Sequence, residues 1–371
     1  MASLASKNRQ AKCRRADILI LQPSIVEYRI PFYRELQKRF SQRILVLAGA
    51  DTFKAGVVAQ TDLAFDWCQS VQNKYFLLNS LCWQQGVLIR ALRSAVCVVN
   101  INPRVLSTWL VILGRRILRR PIVGWGHLEG STSNVVRKIL RMLQFTLCTE
   151  IVLYTVAETR QAPGIWRKKA VIGLQNSSVS EDECRPVTMT GKDLIYVGRL
   201  EHDKNVDELV YDFANLHKSI RDDTKLHLVG GGSLEESIRL KYEGLIQEGA
   251  LVLHGWIWNM DELRKLYEKC AFSVNPSYVG LSVIQSFSFG VPIITSRHEN
   301  HSPEISACEE GFNTIFYSKS EAGAFARGIE DAFSEIDYWN SQRIEISAHI
   351  RKDWSVENMA RNFSTMLEKV I

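Results

Sequence analysis

This sequence has no apolar run long enough to cross a bilayer. Residues 105–114 form the apolar run near its middle, only ten long, where a spanning helix needs about 18 or more, which argues against an integral membrane protein. A CxxC pair is also lacking. The eight cysteines are scattered, mostly among apolar neighbours, as small buried thiols would be, so neither a disulfide framework nor a zinc site is indicated. No leader is evident in MASLASKNRQAKCRR, because the apolar segment that follows is short and no small-residue cleavage site accompanies it. The expectation is a chain that stays in the cytoplasm. Tandem repeats and low-complexity tracts are missing too. What remains is 371 residues, 46% hydrophobic and 23% charged, an ordinary globular composition with enough chain for two domains with separate cores.

The formal net charge of +6 hides a sharp division. Residues 1–180 hold 26 Lys or Arg against 9 Asp or Glu, a net of +17, while residues 181–371 hold 20 against 31, a net of −11. A basic half suits an anionic partner: nucleic acid, an anionic membrane face, or a phosphorylated substrate. No RNP, helix-turn-helix or zinc pattern accompanies the charge, which disfavours nucleic acid.

Short apolar strands at 17–21, 43–47, 95–99, 121–124 and 150–153 alternate with helix-like stretches around 30–40, 84–92, 105–118 and 134–147. Such alternation predicts a parallel sheet covered by helices. Residues 175–192 are polar and aperiodic, and the charge balance changes sign there, which makes them the expected linker. The second half repeats the pattern, with strands expected at 194–197, 225–229, 250–254, 271–274 and 291–295. Three parts are therefore expected: a basic domain over 1–180, a second doubly wound domain over 181–345, and a terminal helical segment over 346–371. That segment has Trp354, Val356, Met359, Phe363 and Met366 as its apolar face.

Ligands of open parallel sheets bind beyond the carboxyl ends of the strands, so the loops after the strands of the second half carry the motifs of interest. In Val197-Gly198-Arg199-Leu200-Glu201-His202-Asp203-Lys204, two cations leave one strand end. Arg offers a fork and Lys a point charge, a pairing suited to a diphosphate, with solvated loop charges as the plain alternative. Gly230-Gly231-Gly232 leads into a helix, either freeing backbone N–H groups for an anion or making a tight turn. A third segment, from Asn275 to Thr295, joins a strand end, a turn at Gly280, a short apolar helix and a Gly290-Val291-Pro292 link into another buried strand.

With these motifs the sequence resembles the nucleotide-sugar glycosyltransferases of the GT-B fold, and within them family 4, the retaining enzymes common in bacterial surface-polysaccharide assembly. Gly198-Arg199-Leu200 with Lys204 matches that family's diphosphate loop, and Gly280-Leu281, Gly290 and Pro292 match its Gly-Leu-x-x-x-Glu-Ala-x-x-x-Gly-x-Pro segment. The family's two glutamates do not match. Their positions hold Ser277 and Gln285. Gln285 retains the ability to hydrogen-bond ribose hydroxyls, whereas Ser277 is too short to copy a glutamate at the donor sugar. The loop ending Gly126-His127-Leu128-Glu129-Gly130 resembles the family's strand-then-Gly-His loop, and the family's early glycine-rich loop is replaced by a segment bearing Tyr28 and Arg29.

The resemblance implies two Rossmann-like domains facing a cleft, with the C-terminal helix crossing back to the first. It implies His127, Arg199 and Lys204 as catalytic groups. Gly198, Gly280, Leu281, Ser282, Gln285 and Ser277 would bind a UDP- or GDP-linked sugar, and Tyr28 and Arg29 the acceptor. No metal or other cofactor is expected, because two cations already meet the diphosphate. Related enzymes extend saccharides on a polyprenyl diphosphate at the cytoplasmic face, so an anionic membrane partner is expected, met by the arginines of 115–120 and by Arg137, Lys138 and Arg141. Residues 109–113 are expected to pack on the sheet, leaving only the arginines in solvent. The rival readings are an inactive GT-B binding protein, suggested by the missing glutamates, and a nucleic-acid binder using the basic half.

Overall fold

In the computed structural model, residues 17–51, 53, 65–128, 134–319 and 323–371 are described. Cys13, the N-terminal segment read for a leader, and Glu129 and Gly130 of the His127 loop lie outside them. The chain divides into two compact units. Unit 1 gathers the chain up to Tyr154, Glu158–Gly173 and Ala360–Ile371, and unit 2 gathers Thr155–Ala157 and Leu174–Met359. The boundary thus falls at Gly173 rather than at 180. The polar segment expected to be a linker instead packs on unit 2, where Val179 and Cys184 are buried and the Val356 N–H donates to the Val179 carbonyl.

Among the described residues, unit 1 has nine strands: β1 (Ile18–Ser24), β2 (Ile44–Gly49), β3 (Cys68–Ser70), β4 (Asn73–Phe76), β5 (Leu81–Gln84), β6 (Val96–Asn100), β7 (Ile122–Trp125), β8 (Glu150–Leu153) and β9 (Val171–Gly173). Seven of them form a sheet in the order β3-β2-β1-β6-β7-β8-β9, and β4 and β5 make a separate antiparallel pair. The central β1 pairs in parallel with β2 and with β6, Ile18 opposite Ile44 on one side and Val96 on the other. Ile18, Leu19, Ile20 and Leu21 are all buried. A continuous apolar run is what a strand covered on both faces requires, and each such side chain contributes about 1.5–3 kcal/mol by leaving water.

Unit 2 holds β10 (Asp193–Val197), β11 (Leu226–Val229), β12 (Leu251–Gly255), β13 (Cys270–Asn275), β14 (Ile293–Ser296) and β15 (Thr314–Tyr317), ordered β12-β11-β10-β13-β14-β15. This is the doubly wound order that reverses direction between its first and fourth strands. Here the reversal lies between β10 and β13. The loops after these two strands therefore open side by side.

The terminal segment is two helices, Arg343–Asp353 and Val356–Glu368, interrupted at buried Trp354 and Ser355. Val356, Met359, Phe363 and Met366 are buried with Trp354, as their spacing predicts. From Ala360 onward the helix belongs to unit 1, where the Phe363 ring lies 5.6 Å from Phe32 and 5.4 Å from Trp125.

Candidate functional site

Gly198 follows β10 because the loop after β11 presses against it. A Cβ on Gly230, whose φ is +133°, would lie 1.8 Å from the Gly198 carbonyl oxygen. The triple glycine therefore serves close backbone approach, and it locks the two loops together: the Leu200 N–H donates to the Gly231 carbonyl and the Leu234 N–H to the Leu200 carbonyl. Leu200, fully buried, anchors the loop, so that Arg199 projects outward and is half-exposed. The chain then turns through the 3-10 helix His202–Lys204. Left-handed Asn205 (φ 51°) leads into the helix Val206–Ala214.

Across the strand-order reversal, the loop after β13 meets this one. The Lys204 Nζ donates to the Tyr278 carbonyl at 2.9 Å and sits 3.1 Å from the centre of its ring. Arg199 approaches the Tyr278 hydroxyl at 3.2 Å, and that hydroxyl donates to Asp203 Oδ2 at 2.8 Å. Burial pushes the Lys204 ammonium down to about 8, with Asp203 opposing and Arg199 reinforcing that shift. Both cations thus converge on Tyr278, with Asp203 3.4 Å from Arg199 and accepting from the Tyr278 hydroxyl. An arriving diphosphate would relieve their repulsion.

Beside them the helix Leu281–Ser288 begins after Gly280 with no side-chain cap, leaving the first backbone N–H groups, near Leu281 and Ser282, available to an anion. Under this turn lies a histidine outside every motif of the sequence. His301 Nδ1 accepts from the Val279 N–H at 3.1 Å, so its Nε2 donates to the Ser296 carbonyl at 2.9 Å. Burial pushes its pKa down, which keeps the ring neutral and able to bridge the two segments.

Ser277 and Gln285 occupy the family's glutamate positions but are engaged elsewhere. Ser277 is buried and its hydroxyl donates to the Asp203 carbonyl at 2.8 Å, tying the two loops together. That bond makes it a brace of the site. The Gln285 amide is directed to Met260, 3.6 Å from its sulfur. At the carboxyl end of β12, Trp256 and Trp258 were also not foreseen: their rings stack at 5.5 Å and 11°, and both are exposed. Two tryptophans at alternate positions of a loop after a strand were the available signal.

In unit 1 the Arg29 guanidinium is enclosed by Tyr28, Trp125 and Tyr154, at 5.2, 5.7 and 5.6 Å from their ring centres. It is only 6% exposed, which makes it a support for the aromatic wall, whereas Tyr28 is exposed. His127 stacks on Tyr154 at 4.0 Å, with its Nδ1 3.8 Å from Glu158. That carboxylate fixes the loop by accepting from the Leu128 and Tyr154 N–H groups, both at 2.9 Å. Phe363 backs Trp125 from the C-terminal helix.

The basic helices differ from expectation. In the helix Leu106–Ile117, Leu106, Leu110, Leu113 and Ile117 form an exposed stripe, so the apolar residues do not all pack on the sheet. The helix Val135–Leu147, started by Asn134 capping the Arg137 N–H, exposes Val135, Val136, Ile139 and Leu143. Arg115, grouped from sequence with the solvent-facing arginines, is fully buried. Its guanidinium donates to the carbonyls of Ala91, Ser94, Ala95 and Pro121. Neither helix contains an acidic residue, and no helix among the described residues is long and apolar enough to cross a membrane.

Residues 191–335 match the family described as Glycosyl transferases group 1. An enzyme of Campylobacter jejuni, GalNAc-alpha-(1->4)-GalNAc-alpha-(1->3)-diNAcBac-PP-undecaprenol alpha-1,4-N-acetyl-D-galactosaminyltransferase, is 25% identical over 173 residues, 43% of this chain and 46% of that one. The chain thus spans about half the length of this relative. Among solved structures, HepE of Anabaena in complex with UDP superposes with a TM-score of 0.69 at 13% identity, covering 95% of this chain and 100% of that one. A glycosyltransferase of Rickettsia africae gives 0.68 at 12% identity over 96% and 99%, and the lipopolysaccharide outer core galactosyltransferase WaaB gives 0.63 at 14% over 95% and 99%.

Proposed function

We propose that this chain, whose fold is that of the GT-B glycosyltransferases and whose residues 191–335 match their group 1 family, transfers a sugar from a nucleoside diphosphate donor to a lipid-linked saccharide. Unit 2 takes the donor. The observation that carries this reading is the meeting of Arg199 and Lys204 with Tyr278 where the strand order reverses. Charge grows on the diphosphate as the glycosidic bond breaks, and two fixed cations aimed at it stabilise that change without moving. With them in place the transfer needs no metal. Trp256 and Trp258 offer an aromatic surface to the base on the same sheet edge. The relatives' names support the substrate classes: HepE is bound to UDP, and the Campylobacter enzyme's acceptor is an undecaprenol-linked saccharide. Retention of anomeric configuration and a role in surface-polysaccharide assembly follow from the resemblance.

Unit 1 takes the acceptor, with Tyr28 and His127 as its contacts, at the cytoplasmic face of a membrane. Apolar stripes beside cations, on helices without a carboxylate, suit an anionic lipid surface better than nucleic acid, which offers nothing to exposed Leu110 or Ile139.

A second reading, a nucleotide-sugar binder without turnover, draws on Ser277 and Gln285, since neither glutamate position supplies a carboxylate. Thermal shift with UDP and GDP followed by a turnover assay tests both, because a ligand that binds only the folded state raises its melting temperature. Binding with turnover is the expected result. Binding without turnover selects the second reading, and no shift with any nucleotide removes both. Arg199→Ala should reduce turnover roughly 10- to 150-fold, the loss of one charge-assisted hydrogen bond.

A further inference from the structure

We infer that unit 1 carries a second anion site, remote from the donor and acceptor loops, which holds the phosphate of a membrane phospholipid. Arg116, Arg119, Arg120 and Lys369 line one pocket together with Thr149 and Glu150. It lies at the amino-terminal edge of the sheet: Pro121, also in its lining, precedes β7, and Glu150 begins β8. The aromatic wall with Trp125 and His127 is at the other end of those strands. A ligand here takes no part in transfer.

None of the four cations pairs with a carboxylate among the described residues, and Glu150 is already accepting from the Ala170 N–H. Thr149 is likewise engaged, with the backbone of Ile122. Four cations therefore face one carboxylate, a net positive lining that attracts a multiply charged oxyanion. Arg119 also stands just past a helix end with φ +52°, a left-handed position that favours glycine. A side chain kept in a costly conformation at the rim of an unpaired cationic pocket fits a binding role.

The lipid follows from what adjoins the pocket. The helix ending at Ile117 delivers Arg116 into it, and Ile117 and Leu118, which lie between Arg116 and Arg119 in the chain, are 81% and 52% exposed. Exposed apolar side chains next to clustered cations match a phospholipid at the acyl–headgroup boundary, whereas a soluble phosphate has no use for them. The inference rests on the membrane reading above.

The test uses full-length protein and phosphatidylcholine vesicles made anionic either with phosphatidylglycerol or, at equal surface potential, with oleate. Wild type should bind the phospholipid-charged vesicles about tenfold more tightly. Arg119→Gly combined with Lys369→Gln should abolish that preference, and glycine at φ +52° keeps the fold. Arg137→Gln with Lys138→Gln, outside the pocket, should weaken binding to both vesicles equally, up to about fivefold per cation, and leave the preference intact. A preference that is absent in wild type, or that survives Arg119→Gly/Lys369→Gln, overturns the pocket while the membrane reading stands. Failure of wild type to bind any anionic vesicle removes both. A rise in melting temperature with inorganic phosphate but no vesicle preference would assign the pocket to a soluble phosphate and overturn the lipid.

Discussion

Lys204 should be a residue that costs the free protein stability and supports the ligand. Its ammonium is pushed down to about 8 by burial, below the roughly 10.4 of an exposed lysine. The folded state thus favours the neutral amine more than the unfolded chain does. For a group depressed in this way, stability is present above the unfolded value and is lost as pH falls through the folded one. At neutral pH the buried charge is therefore a burden, relieved in part by the Tyr278 carbonyl and ring. Lys204→Met should keep or raise the melting temperature at pH 7 while weakening UDP by the ~1.5–3 kcal/mol of a charge-assisted hydrogen bond, roughly 10- to 150-fold. Wild-type affinity should also fall above pH 8, by up to about tenfold per pH unit, because only the ammonium meets the diphosphate and binding must then take up a proton. Isothermal titration of UDP at pH 7 and 9, for both proteins, measures each effect. Equal wild-type affinity at the two pH values, or wild-type binding by Lys204→Met, would refute the assignment.

Gly230→Ala should be strongly destabilising, since the new Cβ would lie 1.8 Å from the Gly198 oxygen on a backbone at φ +133°; a melting temperature within error of wild type would show that the loops can separate freely. Trp256→Ala should weaken UDP by the ~1–3 kcal/mol typical of base stacking yet leave inorganic pyrophosphate binding unchanged, and equal losses for both ligands in calorimetry would dismiss the stacking role. Across β10, β11 and β12, His227 joins Asp193 at 3.0 Å and His254 at 2.9 Å, and burial, with His227 and Lys269 adding, pushes His254 down. Stability linked to it should be present above pH 6.5 and lost below, so the fall in melting temperature from pH 7 to 5 should be shallower in His254→Gln, and an unchanged slope would show that the pair is not linked to folding.

The sequence by itself determined what is local. Runs such as Ile18–Leu21 could only be buried strands, the helices between them made each connection a crossover, and Arg199 and Lys204 had to leave the same strand end because they lie within one loop. The face of Trp354, Val356, Met359, Phe363 and Met366 was legible from spacing alone. Short strands were not: β3 and β9 have three residues each, too few to show a period, and they exist because the sheet offers them an edge.

Tertiary structure decided what depends on neighbours distant in sequence. Strand order placed the loop after β13 against the loop after β10, which gave Lys204 its low pKa and set the Ser277 hydroxyl on the Asp203 carbonyl. Packing chose between residues of identical chemistry, burying Arg115 on the carbonyls of Ala91 and Pro121 while Arg116, one residue on, reaches solvent. A sequence records which side chains carry charge. Whether a charge is desolvated, paired or free depends on the atoms that surround it, and these come from segments that only the fold brings together.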